Sequence, residues 1–167
     1  MKNINYIIGD RMRALANVLW HFPFFGFLSA FLSFLIGTIL TITVIAAPIG
    51  IGLIQYSKFL LLPFSYEMVK KSDTDLEQNT IWKTYGTILK IIYVPFIGLP
   101  LFILTCLQII ALVITILGIP VAIVVAKSLP TLLQPVDKIC VPRLVATALA
   151  QHKADKQINK YLKQDVK

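Results

Sequence analysis

The sequence predicts an all-α integral membrane protein of two parallel repeats, each a long transmembrane helix, a Pro-containing break and a shorter helix that is re-entrant or short-spanning. Three observations carry that prediction. Charge is scarce, two long stretches contain none of it, and a pattern of prolines and glycines recurs 72 positions later.

Of 167 residues, 57% are hydrophobic and 14% charged, with a mean hydropathy of +0.78. Soluble domains carry roughly 25% charged residues, so a water-facing surface cannot be built from this supply. No Lys, Arg, Asp or Glu occurs between Arg13 and Lys58, or between Lys90 and Lys127. Each interval exceeds the ~20 apolar residues that cross a bilayer. Lys2, Arg11 and Arg13 precede the first interval, and Val44-Ile45-Ala46 loosely resembles a cleavage site. The apolar run is nevertheless too long for the core of a signal peptide, so it is read as a retained membrane helix.

The formal net charge of +8 does not indicate nucleic acid. A nucleic-acid binder gathers its basic residues on a folded soluble face, whereas here they flank hydrophobic segments, as expected for contact with anionic lipid headgroups. Cys106 and Cys140 form no CxxC pair and have no histidine beside them, so neither a disulfide framework, a metal site nor a cofactor is expected.

The repeat is visible at particular residues. Pro23, Phe24 and Gly26 recur as Pro95, Phe96 and Gly98, and Pro48 and Pro63 recur as Pro120 and Pro135. Apolar matches arise easily in apolar sequence; proline and glycine matches fix backbone geometry at set places. Long helices are expected over about 23–46 and 96–117, ending at Ala46-Ala47-Pro48-Ile49-Gly50-Ile51-Gly52 and at Gly118-Ile119-Pro120. The arms that follow, to Pro63 and Pro135, reach about 24 Å at 1.5 Å per residue, less than the ~30 Å hydrocarbon thickness. They are re-entrant or cross a thinned bilayer.

Positive residues lie before the first unit, between the units (Lys70, Lys71, Lys83, Lys90) and after the second (Arg143, Lys153, Lys156, Lys160), and neither break carries one. Each unit is therefore a hairpin that leaves and returns on the cytoplasmic side, with both termini cytoplasmic. The organisation expected is a cytoplasmic segment over 1–17, a first membrane repeat over 18–69, a cytoplasmic connection with an interfacial helix over 70–89, a second repeat over 90–141 and a basic helical tail over 142–167. Ser65 to Thr80 is polar, and Trp82 and Tyr85 beside Lys83 suit a headgroup-level anchor.

Gly118-Ile119-Pro120, Lys127 seven positions on, and Leu133-Gln134-Pro135-Val136 resemble the repeated signature of YccF-type bacterial inner-membrane proteins. The first unit is similar, with Pro48, Lys58 ten positions later and Leu61-Leu62-Pro63-Phe64, and so is the stretch from Asn79-Thr80 to Ile92. The likeness covers roughly 15–143. Ala46-Ala47 replaces an expected glycine-containing step, and Ser65 and Asp137 stand where that family often has glycine. The resemblance implies a bacterial inner-membrane location and this architecture, and no established activity.

Lys127 is the first candidate site residue. It lies about two turns beyond Pro120, with no acidic residue between Glu77 and Asp137 along the chain. An ionisable residue at such depth points to an ion, a lipid phosphate or charge selectivity in a pore; the plainer reading is that its stem snorkels to the interface. Lys58, near the end of its arm, snorkels more easily still. Gln55 and Gln108 suit hydrogen bonds between helices or to backbone opened at the breaks. The break residues themselves are Pro48, Gly50, Gly52, Pro63, Gly118, Pro120 and Pro135. Gly26, Ser29, Ser33, Gly37 and Thr41 place small residues along one helix face, a pattern that lets helices approach closely in lipid.

No nucleophile with a base, phosphate-cradling loop or convergent carboxylate pair appears, so no enzymatic activity is expected. The pair of Pro-broken helices favours an oligomeric channel or transport-like assembly for ions or small solutes, since unwound membrane backbone commonly coordinates them. Subunits would have to supply the walls. The alternative is a non-catalytic membrane sensor or scaffold acting through its cytoplasmic loop and basic tail. The partners expected are anionic lipids, further copies of the chain and a cytoplasmic protein.

Overall fold

The computed structural model describes residues 2–22, 24–74, 85, 88–89 and 91–164. The expected anchor at Trp82 and Lys83 lies outside the described residues. Helix α1 spans Lys2–His21, α2 Gly26–Ile42 and α3 Ala47–Leu61. Strand β1, Tyr66–Lys70, follows. In the second half a π-helical turn at Val94–Gly98 leads into α4, Leu99–Ile114, then α5, Ile119–Leu133, strand β2, Lys138–Pro142, and α6, Arg143–Gln164. Both bounds of α5 lie 72 positions after those of α3, and both bounds of β2 lie 72 after those of β1.

The chain is mainly helical, but the all-α expectation needs a correction. Tyr66–Lys70 and Lys138–Pro142 pair as an antiparallel ribbon, with Tyr66 opposite Pro142, Met68 opposite Cys140 and Lys70 opposite Lys138. Neither five-residue segment carries a strand signal of its own, because pairing across some 70 residues is what satisfies the backbone. Asp137 enters β2 at φ 68°, the left-handed region that glycine enters freely and that Asp tolerates better than most residues.

The breaks also differ from expectation. Helix α2 ends at Ile42 rather than 46: Thr43 Oγ1 bonds back to the Leu40 carbonyl at 2.7 Å, and Val44 turns the chain at φ 59°. Thr115, 72 positions later, bonds to the Leu112 carbonyl at 2.9 Å. Pro48 and Pro120 fall in the first turns of α3 and α5, where the missing N–H would have no intrahelical partner anyway. The prolines start the second helices rather than kink the first. As a result α2, 17 residues, is little longer than α3, 15 residues. At 1.5 Å per residue both fall somewhat short of a ~30 Å core.

The halves differ at their entrances. Residues Ile91–Ile114 form one continuous apolar helix of 24 residues, about 36 Å long, because the π-helical turn absorbs Pro95. In the first half, Phe25 takes φ 55° and the helical stretches Arg11–His21 and Gly26–Ile42 meet at 77°.

Trp20, Leu53, Tyr56, Leu112, Val121, Val125 and Leu132 form a core that excludes solvent. Around it Phe27, Leu28, Phe31, Leu104, Leu107 and Ile110 are each more than half exposed. Large apolar side chains exposed along two helices in this way fit a lipid surround better than water.

Candidate functional site at the ribbon end

The last carbonyls of a helix have no intrahelical partner. At the ends of α3 and α5 they are met by aromatic donors from ahead of the long helix of each unit: Trp20 of α1, and Tyr93 before the π-helical turn. The Trp20 indole Nε1–H donates to the Leu60 carbonyl at 2.6 Å, and the Tyr93 hydroxyl donates to the Leu132 carbonyl at 2.9 Å. His21 Nε2 lies 2.7 Å from the Leu61 carbonyl. Buried Asn17 accepts from the Phe64 N–H at 3.1 Å and donates to Ser65 Oγ at 3.1 Å. Sequence reasoning missed these anchors. The available signal was an aromatic residue roughly 40 positions ahead of each of two leucines that are themselves 72 apart.

The two glutamines find different kinds of partner, Gln108 another helix and its entrance and Gln55 a strand rather than a helix or a break. Gln108 donates from Nε2 to the Phe24 carbonyl at 3.1 Å, beside the opening of α2, and accepts from Ser29 Oγ at 3.1 Å. Gln55 Oε1 accepts from the Cys140 N–H of β2 at 3.3 Å.

The small-residue face of α2 packs inside the protomer. Gly26, Ser33 and Gly37 are buried, Ser29 and Thr41 half-buried, and Thr41 bonds to the Gly37 carbonyl of its own helix at 2.7 Å. Gly37 and Gly50 mark the closest approach of α2 to α3: a Cβ on Gly37 would lie 2.9 Å from the Gly50 carbonyl oxygen. A Cβ on Gly52 would strike the carbonyl of Pro135, so α3 touches the end of α5 backbone to backbone. Pro63 and Pro135 are fully buried beyond the two helix ends, Gly118 is buried against the end of α4, and Pro120 is exposed.

Lys58 and Lys127 are both exposed. Lys127 lines a pocket of about 70 Å³ together with Ser128 and Val124 of α5, Phe59 and Pro63 at the end of α3, Tyr66, Glu67 and Met68 of β1, and Arg143 at the start of α6. Two cations and one carboxylate therefore line one pocket together with the apolar Phe59, Pro63, Met68 and Val124. The ribbon creates this grouping, bringing Arg143 beside a residue 16 positions earlier; the sequence identified Lys127 but not its companions. Lys58 sits by the opposite strand, where its charge favours the Cys140 thiolate.

Burial dominates at Cys140 and pushes its thiol up to about 11, Lys58 opposing weakly. Lys138 is shifted down, first by burial and then by Lys70, with Asp137 and Asp73 acting the other way. Asp73 itself holds Lys153 of α6 at 2.9 Å, tying the tail helix to the segment after β1.

No curated protein and no solved structure matches the chain. Residues 15–66, from the second half of α1 to the start of β1, match a family model described as the YccF inner membrane component domain. The match falls within the first half of the chain, agrees with the resemblance carried by its prolines, and supports an inner-membrane location.

Proposed function

We propose that this protein is a multi-pass, non-catalytic inner-membrane component of two parallel hairpin repeats that acts through the face formed by its ribbon and α6. In this reading the hairpins α2–α3 and the helix from Ile91 with α5 enter and return from the cytoplasm. Both termini and the ribbon are then cytoplasmic, in keeping with the distribution of Lys and Arg. The shared 72-residue offset of helices and strands supports the repeat.

The observation that carries the functional reading is the filled core. Leu53, Tyr56, Val121 and Val125 of the two units have almost no exposure, which speaks against an aqueous path between the units among the described residues. The ribbon end, by contrast, presents a charged rim and a helix of 22 residues exposed along most of its length. Deleting residues 150–167 tests it: loss of a co-purifying cytoplasmic partner with intact membrane assembly supports the reading, and unchanged partner recovery contradicts it.

An oligomeric channel or transport-like assembly is the second reading. It is favoured by the apolar exposure of α4, where Leu104, Leu107 and Ile110 await lipid or another copy. The mass of the protein in nanodiscs decides whether a ring exists, and conductance across such a ring tests the pathway.

A further inference from the structure

We propose that the pocket between Lys127 and Arg143 binds the phosphodiester group of a membrane phospholipid. Lys127 comes from α5 and Arg143 from the start of α6, and both line the same small pocket. Neither side chain has a hydrogen-bond or ion-pair partner among the described residues, although Glu67 lines the same rim. Two cations against one carboxylate leave a local charge of one positive unit. A phosphodiester carries one negative charge and offers oxygen acceptors that suit a guanidinium fork and an ammonium together.

The remaining walls explain why the phosphodiester belongs to a lipid. Phe59, Pro63, Val124 and Met68 are apolar, which suits a glycerol backbone and the first carbons of acyl chains rather than a hydrated free ion. Leu62 and Ile123, next in sequence to Pro63 and Val124, are 41% and 55% exposed. Exposed apolar side chains therefore occur close to the pocket walls, where acyl chains could lie against them.

The other half of the molecule supplies an internal comparison. Gln55 stands 72 positions before Lys127, and Cys140 stands 72 after Met68. At that equivalent place Gln55 closes onto the strand by accepting from the Cys140 N–H. Where the second unit has Lys127, no such bond forms, and the space between helix and strand is open and positively charged. The site is thus a difference between the units rather than a property of the hairpin.

The inference rests on the proposed topology only in placing the ribbon at the headgroup level. The test is native mass spectrometry of the full chain from detergent, with phosphatidylglycerol or phosphatidylethanolamine added and inorganic phosphate as competitor. Lys127→Gln and Arg143→Gln should each weaken lipid retention by at least about tenfold, as expected from losing a charge-assisted hydrogen bond. Lys127→Arg should retain lipid, and so should Lys156→Gln on the far part of α6. Millimolar inorganic phosphate should not displace it.

Equal retention by all variants would overturn the proposal, and so would displacement by inorganic phosphate, which would make the ligand a free anion. Both side chains are solvent-exposed, so unchanged thermal unfolding of the variants is expected; lipid loss that only follows unfolding also counts against the site. Truncation at residue 150 leaves both cations in place, so the lipid site and the partner reading can fail separately.

Discussion

The hydroxyl of Tyr56 lies 3.3 Å from that of Ser128, 72 positions further along the chain, deep in the contact between α3 and α5. Ser128 donates to the Val125 carbonyl at 2.7 Å, which leaves its oxygen free to accept from Tyr56. This polar contact joins the two units among the buried apolar residues Leu53, Val121 and Val125. Tyr56→Phe and Ser128→Ala should each lower stability by about 0.5–1.5 kcal/mol, the usual range for such bonds, with interhelical bonds in membranes at the lower end. Reversible unfolding in mixed micelles measures this. A double variant that costs the sum of the two would show that the hydroxyls do not interact.

Gly37→Leu should separate α2 from α3, because any side chain there meets the Gly50 carbonyl and Ile54. A cost of about 1–3 kcal/mol is expected for overpacking of this kind. If the variant unfolds like the parent, the close crossing is absent in the membrane.

Asn17→Ala removes both the acceptor for the Phe64 N–H and the donor to Ser65. The Phe64 N–H would be left buried without a partner, at about 1–3 kcal/mol. Protease protection of the chain around residues 62–66 should fall in parallel, since Asn17 would no longer hold the turn after α3, although Trp20 and His21 still fasten α1 to Leu60 and Leu61.

Cys140 should resist maleimide at pH 8 in the folded protein and react once unfolded, in a Cys106→Ala background. Its thiol is raised to about 11 by burial, so the reactive thiolate is scarce. The sign of the linked stability follows: folding favours the neutral thiol. That contribution is complete below the unfolded thiol pKa of about 8.5 and is lost as pH rises through about 11. Rapid labelling at pH 8 without unfolding would contradict the burial.

Lys138 faces Lys70 across the ribbon, and its ammonium is shifted down by burial and by that neighbour. A depressed lysine pKa means that folding disfavours the charge. The penalty is therefore fully present at neutral pH and eases as pH rises through the folded value toward 10.5. Lys138→Gln should stabilise the protein by up to about 1 kcal/mol, the scale of a like-charge cross-strand pair, and should flatten the alkaline rise. Destabilisation would show that Asp73 and Asp137 outweigh Lys70.

Much of the helical layout was legible because its causes are local. Pro48 and Pro120 mark helix starts through their own ring geometry, and the uncharged intervals contain the apolar helices. That Gln55 and Gln108 would need hydrogen-bond partners was legible, since an amide in an apolar run must find one. Their partners, Cys140 and Phe24, were not, because each lies more than 80 positions away. The end of α2 was misplaced by four residues, because Thr43 and Val44 turn the chain before the proline is reached.

The amino-acid sequence by itself determined the apolar surroundings this protein suits, the prolines at which α3 and α5 begin, and a face of small residues on α2, since charge, proline and glycine act through their own chemistry. Only the tertiary structure decided that Tyr66–Lys70 and Lys138–Pro142 become strands, that Trp20 and Tyr93 satisfy the helix ends at Leu60 and Leu132, and that Lys127 opens onto Arg143 and Glu67. Each of those contacts joins segments whose own residues are silent until a distant part of the chain supplies the missing donor, acceptor or charge.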